Sequence, residues 1–169
     1  MLDIFNDLKP FFEDCYRRVN IREYARIRKI SPPSASKLLG ELMKEGLLKM
    51  KKDRNYIFYY ANKDSAQFVL LSRIFWIEKF KKSGLVEHLE KELINPTAIV
   101  FGSFSKAEIT EKSDIDLAIF TLSKNKLNLE AFEKKLGRKI QSFRFKNRED
   151  TGKELLNNIL NGFALTGGW

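Results

Sequence analysis

Cysteine and histidine are nearly absent from this 169-residue sequence, which contains one of each, Cys15 and His88. A single cysteine cannot form an intrachain disulfide, so the sequence fits a reducing compartment and we expect a cytoplasmic protein. Zinc fingers and His-rich zinc sites need more cysteine and histidine ligands than this sequence supplies. The count leaves room for a catalytic triad that uses His88, but no neighbouring residue indicates one.

Long apolar runs are also missing. The most apolar stretch, residues 68–80, is interrupted by Arg73 and Glu78 and is too short to cross a bilayer. The first residues, MLDIFNDLKP, carry two aspartates where a signal peptide would be basic. We therefore expect no membrane span, no secretion signal and no membrane partner.

Positive charge is concentrated in one part of the chain. The sequence has 31 Lys and Arg against 22 Asp and Glu, a formal net charge of +9. Between Cys15 and Lys63, thirteen basic residues stand against four acidic ones, so this stretch alone accounts for the surplus of the whole chain. Localised basic charge is typical of nucleic-acid contact and predicts double-stranded DNA as a partner.

The basic stretch follows a predictable order of elements. Helical spacing of apolar residues predicts a first helix over residues 2–18 and a second over about residues 22–29. Ser31 as a cap, followed by two prolines, predicts a third helix over residues 33–45 that is closed by Gly46. The sequence LLKMKKDRNYIFYYA then predicts a hairpin that turns around residues 52–55.

This order resembles the winged helix-turn-helix family, and the motif SPPSASKLLGELMKEGLLKMKKDRNYIFYYAN covers its third helix and wing. The resemblance implies that the third helix enters the major groove and that the wing contacts the backbone or the minor groove. The DNA-contacting residues that it implies are Ser34, Ser36 and Lys37 on the third helix and Lys51, Lys52 and Arg54 in the wing. The alternatives are a solvated basic surface and a winged helix that binds protein.

The sequence of residues 66–94 predicts a linking helix that is broken at Ser83–Gly84. Its apolar residues lie nearly all the way round the helix, which must therefore be covered on several sides. Two arrangements meet this requirement: both domains pack on the helix, or the helix forms a homodimer contact.

The stretch TAIVFGSFSKAEITEKSDIDLAIF, residues 97–120, is the most specific part of the chain. Side chains two apart on a strand project from one face, so Asp114 and Asp116 can together bind Mg²⁺. Gly102 permits a tight turn after the preceding apolar strand. Ser103 and the following backbone amides offer hydrogen bonds to phosphates, and Lys106 adds a positive charge.

An apolar strand, Gly-Ser, a short helix and Asp-x-Asp before a second apolar strand resemble the minimal nucleotidyltransferases of the DNA polymerase beta type. The resemblance covers about residues 90–168 and implies transfer of a nucleoside monophosphate from a nucleoside triphosphate. Asp114 and Asp116 would be the catalytic and Mg²⁺-binding residues, and Gly102, Ser103 and Lys106 would bind the nucleotide.

The whole chain is thus predicted to be an α+β protein. A winged helix-turn-helix domain is expected over residues 1–65, a linking helix over residues 66–94, and a nucleotidyltransferase domain with a mixed sheet and flanking helices over residues 95–169. Within the last domain we expect a helix over residues 127–136 closed by Gly137, a strand over residues 140–145 and a final helix over residues 151–165.

The sequence departs from the family pattern at one chemically important position. Active members usually have a third carboxylate in a pattern like Leu-Gly-Arg-Lys-Val-Asp-Leu-Val, where this chain has LGRKIQSF and therefore Gln141. An amide cannot act as a base, and loss of a positioned base typically costs ~10²–10⁴ in rate. Glu149 and Asp150 could replace the carboxylate if the chain bends back.

Three functions are open at this point. The first is a nucleotidyltransferase weakened at Gln141. The second is a DNA-binding regulator whose transferase domain senses nucleotide or dimerises. The third, suggested by how minimal transferases are often used, is one component of a toxin–antitoxin-like pair.

Overall fold

The computed structural model describes residues 3–168, which divide into two compact units. The first unit holds the described residues up to Ser72 together with Ala107–Glu111. The second unit holds Arg73–Lys106 and the described residues from Lys112 onward. This division lies inside a helix, whereas the sequence predicts domain limits after residues 65 and 94; the outermost predicted limits, residues 1 and 169, lie outside the described residues.

The first unit consists of three helices, a short strand and a hairpin. In chain order these are α1 (Asp3–Glu13), β1 (Arg18–Val19), α2 (Ile21–Arg28), α3 (Pro32–Lys44), β2 (Leu48–Asp53) and β3 (Tyr56–Ala61). The strands form an antiparallel sheet in the order β1-β3-β2. The three helices and the hairpin that the sequence predicts are therefore all present.

Local sequence signals set the limits of α3. The Ser31 hydroxyl accepts a hydrogen bond from the backbone N–H of Ser34 at 3.3 Å, which caps the helix. Gly46 follows the helix with a φ of 70°, a left-handed conformation that glycine adopts without strain. The buried face of α3 consists of Ala35, Leu39 and Leu42.

The helix predicted over residues 2–18 is wrong at its C-terminal end, because α1 ends at Glu13. The predicted first residue, Leu2, lies outside the described residues. The Asp14 carboxylate accepts a hydrogen bond from the N–H of Tyr16 at 3.0 Å, and this side-chain turn competes with further helix. Tyr16 is consequently 52% exposed instead of facing the core.

Two helices follow the hairpin, α4 (Ala66–Ser83) and α5 (Leu85–Glu92). Gly84 separates them with a φ of 85°, which confirms the predicted break. Each end of α4 packs inside its own unit: the Phe68 ring lies 5.2 Å from Phe12, and the Trp76 ring lies 4.7 Å from Phe104.

The middle of α4 leaves two large apolar side chains in solvent, Leu70 and Ile74. The homodimer contact stays a prediction. Within residues 3–168, every helix is too short or too polar to pass through a lipid bilayer.

A four-stranded mixed sheet forms the centre of the second unit, with strand order β6-β5-β4-β7. Strands β5 and β6 are parallel, and the other pairs are antiparallel. The elements after α5 are β4 (Thr97–Phe101), α6 (Ser103–Lys106), β5 (Ile115–Phe120), α7 (Glu130–Leu136), β6 (Ile140–Phe145), α8 (Lys153–Leu160) and β7 (Phe163–Thr166).

One apolar cluster joins α8 to a face of the sheet; its buried members are Ile99, Phe101, Ala118, Phe120 and Ile159. The predicted mixed sheet with flanking helices is confirmed.

Two helices of the second unit differ from their predicted limits. The helix predicted over residues 127–136 begins at Glu130, because the Asn128 side chain accepts the N–H of Glu130 at 3.1 Å. The final helix predicted over residues 151–165 is wrong in its second half: α8 ends at Leu160, and β7 pairs with β4. Burial alternates along β7, as expected for a strand with one covered face.

Gly162 allows this change from helix to strand. A Cβ at this position would stand 2.6 Å from Cγ2 of Ile99 and 2.8 Å from the carbonyl oxygen of Ile159, and would also collide with the carbonyl oxygen of Val100. The chain can therefore pass against β4 here because position 162 has no side chain.

We expect Gly162→Ala to lower the free energy of unfolding by about 1–3 kcal/mol, because the added methyl group must displace backbone atoms. Urea unfolding followed by circular dichroism measures the change. Gly40→Ala is the matched control, since no heavy atom lies within 4 Å of the added methyl and alanine favours a helix interior. Equal losses in the two variants would contradict this account of Gly162.

Candidate active site

Strand β5 places Asp116 between residues of two neighbouring strands. Asp116 pairs with Phe101 at the end of β4 and with Gln141 near the start of β6. Paired residues on adjacent strands project from the same face of a sheet, so these three side chains lie together. Asp114, just before β5, is on the same face, because Nε2 of Gln141 donates a hydrogen bond to its Oδ2 at 2.9 Å. Two carboxylates and one amide therefore form a single cluster at this end of the sheet.

The backbone of Gly102 lies directly against the Asp116 carboxylate. It directly follows β4 and has a φ of 68°, in the left-handed region. A Cβ at Gly102 would collide with Oδ2 of Asp116 and lie 3.3 Å from its Cγ. The backbone of Gly102 and the Asp116 carboxylate are thus in close approach, which a side chain at position 102 would prevent.

Two residues to which the sequence assigns no role hold the Gly102 turn. The buried Ser105 donates to the Gly102 carbonyl twice, from its backbone N–H at 3.2 Å and from its hydroxyl at 2.9 Å. Arg73 in α4 then donates from Nε to the carbonyl of Ser105 at 2.8 Å. The sequence suggested neither role, because the Arg73 contact joins residues 32 positions apart.

Arg138 holds the chain directly before Asp114. Its Nη1 donates to the carbonyl of Ser113 at 2.9 Å, directly before Asp114. The guanidinium group lies 5.3 Å from the Trp76 ring and 5.5 Å from the Phe104 ring, within cation–π range. The sequence alone assigns no role to Arg138. Its position inside LGRK, three residues before Gln141, is the only feature of the sequence that could have drawn attention to it.

Electrostatics make the cluster a candidate cation site. Burial raises the pKa of Asp116 above its usual value, and the negative charge of Asp114 raises that pKa further. Both effects disfavour the ionised form of Asp116. A bound cation would offset them, because its positive charge favours the ionised carboxylate. Carboxylate oxygens are also the protein ligands that Mg²⁺ prefers, so the two aspartates fit this ion.

A third carboxylate does not join the pair. Within residues 3–168 there is no group of three or more Asp, Glu, His or Cys side chains arranged to hold a metal. Asp150 is engaged at the opposite end of β6, where its carboxylate accepts the N–H groups of Lys146 and Asn147 at 3.1 and 3.3 Å. The position beside Asp116 belongs to Gln141, as the sequence predicts.

The other predicted site residues lie on the surface of their elements. Ser103 is half-buried as the first residue of α6, and Lys106 is exposed as its last residue. The six predicted DNA-contacting residues are all exposed: Ser34, Ser36 and Lys37 in α3, and Lys51, Lys52 and Arg54 in the hairpin. Contact of these residues with nucleotide or DNA stays a prediction.

Comparison with protein families gives a match in the second unit. Residues 85–165 match the family described as polymerase beta, nucleotidyltransferase. The matched range covers just under half of the chain and contains Gly102, both aspartates and Gln141. It supports the nucleotidyltransferase superfamily for this part of the second unit, and it leaves the elements of the first unit untested. No curated protein matches the chain.

We expect Asp116→Asn to raise the unfolding temperature of the metal-free protein at neutral pH. The folded pKa of Asp116 is raised, so the wild type loses stability as pH rises from the ordinary aspartate range through that folded pKa. A neutral asparagine in its place would not carry this penalty. Because the side chain is partly exposed, screening keeps the gain small, on the order of 1 °C.

Thermal unfolding in EDTA at neutral pH and at a pH near the ordinary aspartate pKa checks this expectation. The difference between the two proteins should shrink at the lower pH, where Asp116 becomes protonated. A variant less stable than the wild type at neutral pH would contradict the electrostatic account of Asp116.

Proposed function

We propose that the second unit is a Mg²⁺-dependent nucleotidyltransferase with slow turnover and that the first unit is a DNA-binding winged helix-turn-helix. The observation that carries the enzymatic part is the meeting of Asp114 and Asp116 beside the Gly102 turn. The family match over residues 85–165 supports the same conclusion.

In the proposed reaction, a hydroxyl oxygen of an acceptor forms a bond to the α-phosphorus of a nucleoside triphosphate. The bond from that phosphorus to the bridging oxygen of the β-phosphate breaks, and pyrophosphate leaves. Gly102 and Ser103 receive the phosphates, with Lys106 adding positive charge from the end of α6. Asp114 and Asp116 would hold Mg²⁺, which would supply positive charge to the phosphates.

Gln141 is the reason for expecting slow turnover. Gln141 stands at the position where the family pattern has a carboxylate, and its Nε2 donates a hydrogen bond to Oδ2 of Asp114. An amide does not accept the proton of the attacking hydroxyl, and that proton passes to water instead. Absence of a positioned base corresponds to a rate loss of ~10²–10⁴.

The order of elements in the first unit supports the winged helix-turn-helix proposal. A short strand lies between α1 and α2, a hairpin follows α3, and β3 lies between β1 and β2 in the sheet. Lys37 is exposed in the first half of α3, and Arg54 stands at the turn of the hairpin with a φ of 52°. These two positions and the concentrated positive charge fit contact with the phosphates of duplex DNA.

The Gln141 hydrogen bond also favours a second function. A cluster with two carboxylates and an amide can bind a nucleotide with its cation while lacking the group that accepts a proton. The protein would then be a DNA-binding regulator whose second unit senses nucleoside triphosphate without transferring it.

Incubation with radiolabelled nucleoside triphosphates and Mg²⁺ tests the enzymatic proposal, with released pyrophosphate and labelled product as readouts. We expect slow transfer by the wild type and at least a hundredfold less by Asp116→Ala, because half of the proposed cation site is lost. Gln141→Asp is expected to raise the rate by up to ~10²–10⁴, since it introduces a carboxylate beside Asp116.

Asp150→Ala is the control for loss of a carboxylate outside the cluster and should leave transfer unchanged. Transfer that survives Asp116→Ala would contradict the proposed site. Triphosphate binding without transfer, both in the wild type and in Gln141→Asp, would replace the enzymatic proposal by the regulatory one.

A further inference from the structure

The outer face of the three-stranded sheet in the first unit carries a row of aromatic side chains. Residues two apart on a strand share a face, so Tyr56, Phe58 and Tyr60 of β3 lie together, opposite the buried Tyr59. The rings of Tyr56 and Phe58 are 6.4 Å apart, and Tyr56 is 62% exposed. Phe58 and Tyr60 are half-buried, so part of each ring in the row stays in solvent, and contiguous aromatic surface of this kind is typical of a binding surface. We call these three residues the aromatic row.

Basic side chains flank the aromatic row on both neighbouring strands. In the register of the sheet, Lys51 lies opposite Phe58 and Lys49 opposite Tyr60 on β2. On β1, Arg18 lies opposite Tyr60, with its guanidinium 5.9 Å from the ring centroid. Cations therefore lie beside Phe58 and Tyr60, whereas the acidic Asp53 lies opposite Tyr56 at the hairpin end of the row.

A cavity of about 290 Å³ lies at the β1 end of the aromatic row. Its lining includes Tyr16, Arg18, Lys49, Tyr60 and Lys63. Nζ of Lys63 stands 3.6 Å from the centroid of the exposed Tyr16 ring. The cavity is therefore lined by the same two kinds of side chain, aromatic and cationic, as the sheet face beside it. Its acidic member, Asp64, forms an ion pair with Lys49 at 2.5 Å.

We propose that this face binds single-stranded nucleic acid. Unpaired bases would stack on the aromatic row, and the phosphates between them would lie along Arg18, Lys49 and Lys51. Stacking on aromatic side chains inside a positively charged groove is the general mode of single-strand binding. The faces of bases inside a duplex are already stacked on one another, so the row offers little to duplex DNA.

This surface goes beyond the function proposed above. The proposed duplex contact uses the exposed start of α3 and the tip of the hairpin, and Lys51 is the residue that belongs to both surfaces. The single-strand surface also does not depend on transferase activity. The two proposals can therefore fail separately.

Fluorescence anisotropy with labelled ten-nucleotide oligo-dT, oligo-U and a DNA duplex tests the proposal on the full chain. We expect the affinity for single strands to fall about tenfold in Tyr56→Leu and in Phe58→Leu, which remove one stacking ring each. Tyr56→Phe keeps the ring and should bind like the wild type. The affinity for single strands should also fall as salt rises, because phosphates are neutralised by the flanking cations.

Two controls separate this surface from its neighbours. Ile57→Ala changes an exposed side chain on the opposite face of β3 and should leave single-strand binding unchanged. Lys37→Ala should weaken duplex binding and spare single-strand binding. Circular dichroism spectra that match the wild type establish that each variant is folded.

Binding of oligo-dT, oligo-U or both, with loss in the two leucine variants, supports the proposal, and the preferred strand identifies DNA or RNA as the source. The proposal is overturned if neither oligonucleotide binds, or if folded Tyr56→Leu and Phe58→Leu bind them like the wild type. Equal weakening by Ile57→Ala would also overturn it, because the loss would then not depend on the aromatic row.

Discussion

The close approach of the Asp116 carboxylate to the backbone of Gly102 is the constraint on which the candidate active site depends. It needs a residue without a side chain after β4, a left-handed turn at that residue, and a strand β5 in a fixed register with β4. Ser105 and Arg73 secure the turn through its carbonyl groups. A shift of one residue in the β4–β5 register would move Asp116 to the other face of the sheet and dissolve the cluster.

The same arrangement creates an electrostatic cost that a ligand can offset. Two carboxylates are held near each other, and one of them is partly removed from water, which raises its pKa. Gln141 contributes a hydrogen bond to Asp114 without adding a third negative charge. The cluster is therefore less negative than one with three acids, and its attraction for a cation is correspondingly weaker. This makes binding without efficient turnover a coherent alternative to catalysis.

The sequence predicted those features that depend on local signals. Ser31 with its following prolines, Gly46, Gly84 and Gly137 each mark a helix limit, and each acts through contacts within a few residues. The glycine-serine turn and the paired aspartates were also visible, because strand alternation alone relates Asp114 to Asp116. The place of Gln141 beside Asp116 followed from the family pattern, and the register of β5 with β6 agrees with it.

The predictions are wrong where a contact that the apolar spacing does not reveal decides the local structure. The apolar residues after Leu160 have helical spacing, but this segment forms β7 and pairs with β4. It can do so because Gly162, which has no side chain, lets the chain pass close to β4. Tyr16 fits the apolar spacing of α1, yet the Asp14 side chain ends the helix before it. Arg73 and Arg138 reach the site from other elements, so their roles need the folded chain. The sequence predicts the aromatic row only as part of a hairpin, and its pairing with Arg18 depends on β1, a strand that the sequence did not predict.

A crystal structure of the protein with Mg²⁺ and a non-hydrolysable nucleoside triphosphate would show whether Asp114, Asp116 and the Gly102 turn form one binding site. We expect the phosphates at the Gly102–Ser103 turn and the cation between Asp114 and Asp116, with Gln141 as the third side chain of the cluster. A triphosphate bound elsewhere, or a cation held by other acidic residues, would contradict it.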